Sequence, residues 1–273
     1  MKMVPLILAV LLTTITTLQC AEPAHPTPLP NAHSHNDYEQ RRPLLDALDQ
    51  GFCHIEADVH LVEGQLLVAH YRSQVRPEKT LQSMYLDPLR ERVKKNGGSV
   101  YRGGPVVTLL VDVKSYAEPT YVALKVILER YREMLTSFEK SKTHPRAITV
   151  IISGNRARLV MAAETRRLAA YDGRLEDLNA TDPKDFIPWI SSDWSSVSRW
   201  RGTGPIPEAD RRKLLDIVAK AHAHGRQVRF WGTPDQSAVW RELLDADVDI
   251  LIADHLSALG DFLRANQRTF PSK

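Results

Sequence analysis

The chain has 273 residues, 43% of them hydrophobic and 25% charged, with a net charge of +3. That is the composition of a folded globular protein, and it excludes a disordered tail or a fibre. No run of Lys or Arg dominates, so the electrostatic footprint of a nucleic-acid binder is missing and no nucleic-acid partner is expected.

Lys2 and the apolar stretch "VPLILAVLLTTITTL" open the chain. The stretch is too short to span a bilayer comfortably, so residues 1–21 are expected to be a signal peptide cleaved near Cys20 or Ala21. Export to a secreted or periplasmic location follows. Lipid anchoring at Cys20 ranks second, because "TLQC" lacks the Leu three residues earlier that bacterial lipoprotein signals carry. Residues 22–30 form a Pro-rich linker, and residues 31–273 form the folded domain. With the signal removed, Cys53 is the sole thiol, a small buried hydrophobe that cannot form an intramolecular disulfide. No later stretch could span a membrane.

Strand-like runs then alternate with helical ones. "NAHSH" precedes the helical "RRPLLDALDQG", which ends in Gly as helices often do. "FCHIEADVHLV" and "QLLVAH" are followed by the helical "TLQSMYLDPLRERVKKNGG". The strand "PVVTLLVDVK" leads into "PTYVALKVILERYREMLTSFEK", whose apolar residues recur at three and four and predict one helix over 119–140. "AITVIISGN", "RLAAYDG" and "FIPWISSD" are strands. "PEADRRKLLDIVAKAHAHG", "QVRFWGT", "DQSAVWRELLDADV" and "DILIADH" continue the alternation to the end. Such alternation implies parallel pairing with helices outside the sheet. "TVII" and "DILIA" are nearly all apolar, as strands buried on both faces should be. No Gly-x-Gly-x-x-Gly follows the first strand, which disfavours a dinucleotide fold. The expected fold is a single (β/α)₈ TIM barrel.

In such barrels chemistry gathers at the C-terminal ends of the strands. Period-2 alternation puts Glu56 and Asp58 on one face, and Asp112 and Lys114 on one face of the next strand. Buried carboxylates are costly unless paired or bound to a cation. Three oxygen donors from Glu56, Asp58 and Asp112 suit Mg²⁺ or Ca²⁺. His33 and His70 flank them as a general acid–base pair. Lys114 either pairs with the carboxylates or meets a phosphate oxygen. Trp231 lines the barrel and is a candidate pocket wall. His54 and His60 read as structural or solvent-facing, Asp172 and Arg174 in "YDGR" as a turn, and Asp254 as a bond to backbone at the rim.

The order His33, Glu56-x-Asp58, His70, Asp112-x-Lys114 resembles that of the phospholipase C-like phosphodiesterases, which include glycerophosphodiester phosphodiesterases and sphingomyelinase D-type enzymes. "HSHNDY", "EADV", "RFWGTPD" and "DILIADH" more narrowly resemble the branch called altered inheritance of mitochondria protein 6. The resemblance implies a barrel of phospholipase C-like phosphodiesterase type. It also implies hydrolysis or cyclisation of a small-molecule or lipid phosphodiester. His33 and His70 would be the catalytic pair, with a divalent cation on Glu56, Asp58 and Asp112. Ser34 stands where glycerophosphodiesterases carry a phosphate-binding Arg, so His35 or Asn36 is expected to join Lys114 at the phosphate. Two rivals stand beside this. An amidohydrolase would use His33-x-His35 and Asp254, yet no His lies between His144 and His222 to complete its metal set. A non-catalytic ligand-binding barrel is the other.

Overall fold

The computed structural model describes residues 26–139 and 142–266. The expected signal peptide, Cys20 and the start of the linker lie outside the described residues. Eight parallel strands form the barrel: β1 (Leu29–Ser34), β2 (Phe52–Val62), β3 (Val107–Val113), β4 (Ile148–Gly154), β5 (Ala169–Gly173), β6 (Trp189–Asp193), β7 (Gln227–Trp231) and β8 (Leu251–Ala253). β1 to β7 pair in chain order, and β8 pairs back onto β1. A bridge between Arg229 and Ile250 closes the ring between β7 and β8. Leu29 and Pro30, read as the end of the linker, are the first residues of β1.

Parallel strands must be joined by crossovers that cover the outside of the sheet, and the helical runs supply them. Helix Ala117–Glu129 buries Tyr121, Leu124 and Leu128, spaced three and four apart, against the strands. Full burial of each leucine stabilises by about 2 kcal/mol. Glu208–Ala223 and Ser237–Asp245 do the same between β6 and β8, and Leu256–Ala265 follows β8. No described helix is long and apolar enough to cross a membrane. Gly51 closes the turn into β2 at φ +90°, where a Cβ would come within 2.2 Å of the Thr27 carbonyl oxygen.

One sequence expectation changes here. The helix expected over 119–140 stops at Glu129. Beyond it, Met134 and Thr136 exchange backbone hydrogen bonds with Ile148 at 3.0 and 2.7 Å, and Ser137–Glu139 joins a small antiparallel sheet. Thr and Phe there find cross-strand partners, and that pairing overrides the helical spacing. "QLLVAH" is extended, as expected, and lies outside the ring of eight. Gln65–Val68 folds back antiparallel on the upper half of β2.

The barrel interior is divided by height. Leu110, Ile151, Ala170 and Trp189 fill its lower part, with Phe138 and Ile250 in the same apolar cluster. Above them the inward positions turn polar, and the site lies there.

Candidate active site

Register brings the carboxylates together. Asp58 is the Cα partner of Asp112 across β2 and β3, and Glu56 lies one inward position below Asp58. Ligand oxygens of Glu56, Asp58 and Asp112 all fall within 4.8 Å of one another. Asp58 Oδ2 faces three donors: Tyr38 Oη at 2.8 Å, His70 Nδ1 at 2.9 Å and Lys114 Nζ at 3.1 Å. Its Oδ1 is buried with no hydrogen-bond partner. A buried carboxylate oxygen is not normally left bare, and a divalent cation would satisfy it. Burial and the charge of Glu56 push Asp112 up to about 6, and the same two causes raise Asp58. A cation would relieve that crowding. The three residues therefore fit the oxygen-only ligation of Mg²⁺ or Ca²⁺.

Backbone pairing places the second imidazole. Ala69 N donates to the Asp58 carbonyl at 3.2 Å, which brings His70 beside the Asp58 side chain. His60 Nε2 donates to the His70 carbonyl at 3.2 Å, so His60 is structural and ties down the backbone at His70. His54 is also structural. Its Nε2 donates to the Pro30 carbonyl at 2.7 Å, and its ring packs edge-on to Trp189.

The two residues of "HSH" that point inward lie at different depths. His33 pairs with His54 and Ile252 in the strand register, and its ring is fully buried. Its Nε2 donates to Glu56 Oε2 at 2.8 Å, with Arg229 Nη1 3.2 Å away. Burial lowers its pKa to about 4, so the ring is neutral. Glu56 is held low in spite of its burial by the His33 hydrogen bond and the Arg229 charge. His35 stands one inward position higher. It lines a cavity of about 430 Å³ together with Asn36, Glu56, His70, Asp112 and Lys114, whereas His33 does not reach that lining. His35 Nδ1 donates to Asp254 Oδ1 at 2.7 Å. Burial opposes its protonation, but that hydrogen bond and the charge of Glu56 raise its pKa. Asp254 thus bonds a histidine and not the backbone. Both His35 and His70 bond a carboxylate through Nδ1, which leaves each Nε2 free.

The far wall of the cavity is cationic. Asp172 is fully buried in β5 and is not a turn residue. It accepts hydrogen bonds from Ser153 Oγ at 2.8 Å, from Arg174 Nη1 at 2.7 Å and from Ser191 Oγ. Arg229 Nε donates to Ser191 Oγ at 2.8 Å. Burial opposes ionisation of Asp172, but Arg229 and Arg174 hold its pKa low. Arg174 stacks on Trp231 at 4.9 Å, and Arg174, Arg229 and Trp231 all line the cavity.

A family model described as the AIM6-like phosphodiesterase domain matches residues 24–172. The chain belongs to this family. The glycerophosphoryl diester phosphodiesterase family model matches residues 227–257 of this AIM6-like chain. The altered inheritance of mitochondria protein 6 homolog of Arthroderma benhamiae is 30% identical over 266 residues, which cover 85% of this chain and 82% of the relative. Altered inheritance of mitochondria protein 6 of Eremothecium gossypii is 26% identical, over 86% of this chain and 69% of the relative. Two solved structures share the fold, both from Parabacteroides distasonis. One is a glycerophosphodiester phosphodiesterase with TM-score 0.52 and 16% identity, covering 87% of this chain and 99% of its own. The other is a glycerophosphoryl diester phosphodiesterase with TM-score 0.51 and 10% identity, covering 92% and 91%.

In this AIM6-like barrel, Tyr38 and Gly154 join the site beyond the residues singled out from sequence, and Arg174, read from sequence as a turn residue, lines it together with Arg229. Tyr38 Oη bridges Asp58 and Asn36, the latter at 2.7 Å. Asn36 is left-handed at φ 43°, a conformation Asn tolerates. "HNDY" carries Tyr38 next to the motif, and that proximity was its only sequence clue.

Proposed function

We propose that this AIM6-like protein is a metal-dependent phosphoric diester hydrolase acting on a glycerophosphodiester or phospholipid-type substrate. One observation supports this above the others. Two imidazoles, each oriented by a carboxylate through Nδ1, share a cavity with three clustered acids and a lysine. The pair we propose is His35 and His70. His33, expected from sequence to be catalytic, is buried below the cavity and neutral, and we assign it the structural role of holding Glu56. The amidohydrolase alternative loses support for the same reason, since His33 and His35 do not face one ion together.

Mg²⁺ or Ca²⁺ held by Glu56, Asp58 and Asp112 would supply Lewis-acid charge to a phosphoryl oxygen. Lys114 and Arg174 hold the other phosphate oxygens, with Asn36 beside them. His70 Nε2 takes the proton of the attacking hydroxyl. His35, whose raised pKa favours the imidazolium, gives its proton to the leaving alcohol.

The test is turnover of bis(p-nitrophenyl) phosphate and of glycerophosphodiesters with and without EDTA. Activity should vanish with EDTA and return with Mg²⁺ or Ca²⁺. A rate indifferent to the chelator removes the metal from the proposal. A pH profile tests the acid. His35 loses its proton as pH rises through a raised pKa, so activity falls on the alkaline side. Asp254→Asn removes the hydrogen-bonded carboxylate, and the alkaline limb should move to lower pH. An unmoved limb would assign that limb to another group.

A further inference from the structure

A second groove, of about 830 Å³, adjoins the catalytic cavity and shares Lys114, Gly154 and Asn155 with it. Leu61, Tyr116 and Ala117 form apolar parts of its wall, and two guanidiniums, Arg72 and Arg156, stand in it. Arg42, Arg158, Arg174 and Arg211 each lie against a carboxylate, whereas the buried Arg226 bonds only backbone carbonyls. Among the described residues no carboxylate lies within ion-pair distance of Arg72 or Arg156. Arg72 Nη1 donates to the Leu61 carbonyl at 3.1 Å. Arg156 Nη1 donates to the Asp172 carbonyl at 2.5 Å, and its guanidinium stacks on Tyr171 at 4.7 Å. Its Nε is buried and has no acceptor. Carbonyl partners and an aromatic face fix a guanidinium in place with no carboxylate in contact, although Asp172 and Asp177 act on Arg156 from farther off. Two such charges in one groove, a lysine away from the proposed phosphodiester site, make a receptor for an anion.

We propose that this groove is a second-anion subsite. The alcohol half of the substrate carries a phosphomonoester that Arg72 and Arg156 bind while the scissile diester sits at Lys114. This rests on the phosphodiesterase reading and narrows it to phosphorylated headgroups. A free headgroup diester and a membrane phospholipid could present the same chemistry.

Steady-state kinetics with glycerophosphoinositol 4-phosphate, glycerophosphoinositol and bis(p-nitrophenyl) phosphate test it. A parallel arm uses phosphatidylinositol 4-phosphate and phosphatidylinositol in phosphatidylcholine vesicles. The wild type should prefer the 4-phosphate in kcat/KM by about tenfold, the scale of one charge-assisted contact. The arm that shows the preference identifies the source. Arg72→Gln, at an exposed position where folding is not at stake, should abolish the preference through KM, and Arg156→Gln should do the same. Neither should change bis(p-nitrophenyl) phosphate turnover. Equal kcat/KM with and without the second phosphate in both arms, or equal losses on every substrate in the variants, overturns the subsite. A wild type that turns over nothing defeats the phosphodiesterase reading separately. Calorimetry then decides on the subsite: inositol 1,4-bisphosphate binding more tightly than inositol 1-phosphate, with the difference lost in Arg72→Gln, supports it. Equal affinities overturn it.

Discussion

His35→Ala is expected to lower kcat for bis(p-nitrophenyl) phosphate by about 10³-fold, within the range that one positioned proton-transfer group contributes. Its melting temperature should stay close to wild type. The ring sits at the cavity wall with its side chain 27% exposed, and its partner Asp254 is 64% exposed, so little buried structure depends on it. His70→Ala should show the same pattern. His33→Ala should differ from both. Removing that ring opens a cavity beside Trp189 and leaves Glu56 Oε2 with only the 3.5 Å contact to Arg229. A buried carboxylate that loses its best donor costs roughly 2–4 kcal/mol. The His33 variant should therefore unfold at clearly lower temperature, with any activity loss following the displacement of Glu56. Kinetics and thermal melts on the three purified variants separate the roles. If His35→Ala turns over at the wild-type rate while His33→Ala is folded and inactive, the proposed acid is the wrong histidine.

That contrast marks where sequence reading runs out. Period-2 alternation places both His33 and His35 on the inward face of β1, and nothing local says which of them lies deeper. Depth is set by register, in which His33 meets His54 and Ile252 across the sheet. The acidic cluster was easier to read, because Glu56, Asp58 and Asp112 sit in long apolar strands where a charge needs a reason. Asp172 and Arg174 were hidden by Asp-Gly, which usually means a turn. Here β5 runs to Gly173, where a Cβ would lie 2.7 Å from the Trp189 carbonyl oxygen of β6, so the glycine serves close packing between strands. The helix expected over 119–140 failed for a related reason. Its last third is claimed by Ile148, a partner distant in sequence.

Gly154→Ala should damage both the fold and the cation site. Gly154 ends β4 at φ +66°, and a Cβ there would stand 2.1 Å from Asp112 Oδ1, 2.5 Å from the Val113 carbonyl oxygen and 2.9 Å from Val113 N. The two backbone atoms belong to the paired strand β3 and cannot yield, so the Asp112 carboxylate must turn away. Displacing one of three oxygen ligands should weaken Mg²⁺ or Ca²⁺ binding by at least the roughly 10–100-fold seen when a supporting group is lost. Catalysis should fall with it. The left-handed backbone alone contributes about 1 kcal/mol of destabilisation in a residue with a Cβ. Gly97→Ala measures that part separately, because Gly97 has φ +74° and nothing within 4 Å of the added methyl. Calorimetric titration of the cation and kcat at saturating cation, compared between the two variants, isolate the contribution of the Asp112 carboxylate. Equal cation affinity and activity in Gly154→Ala and Gly97→Ala would mean that the glycine answers only to backbone conformation and that Asp112 is not held in place for a metal.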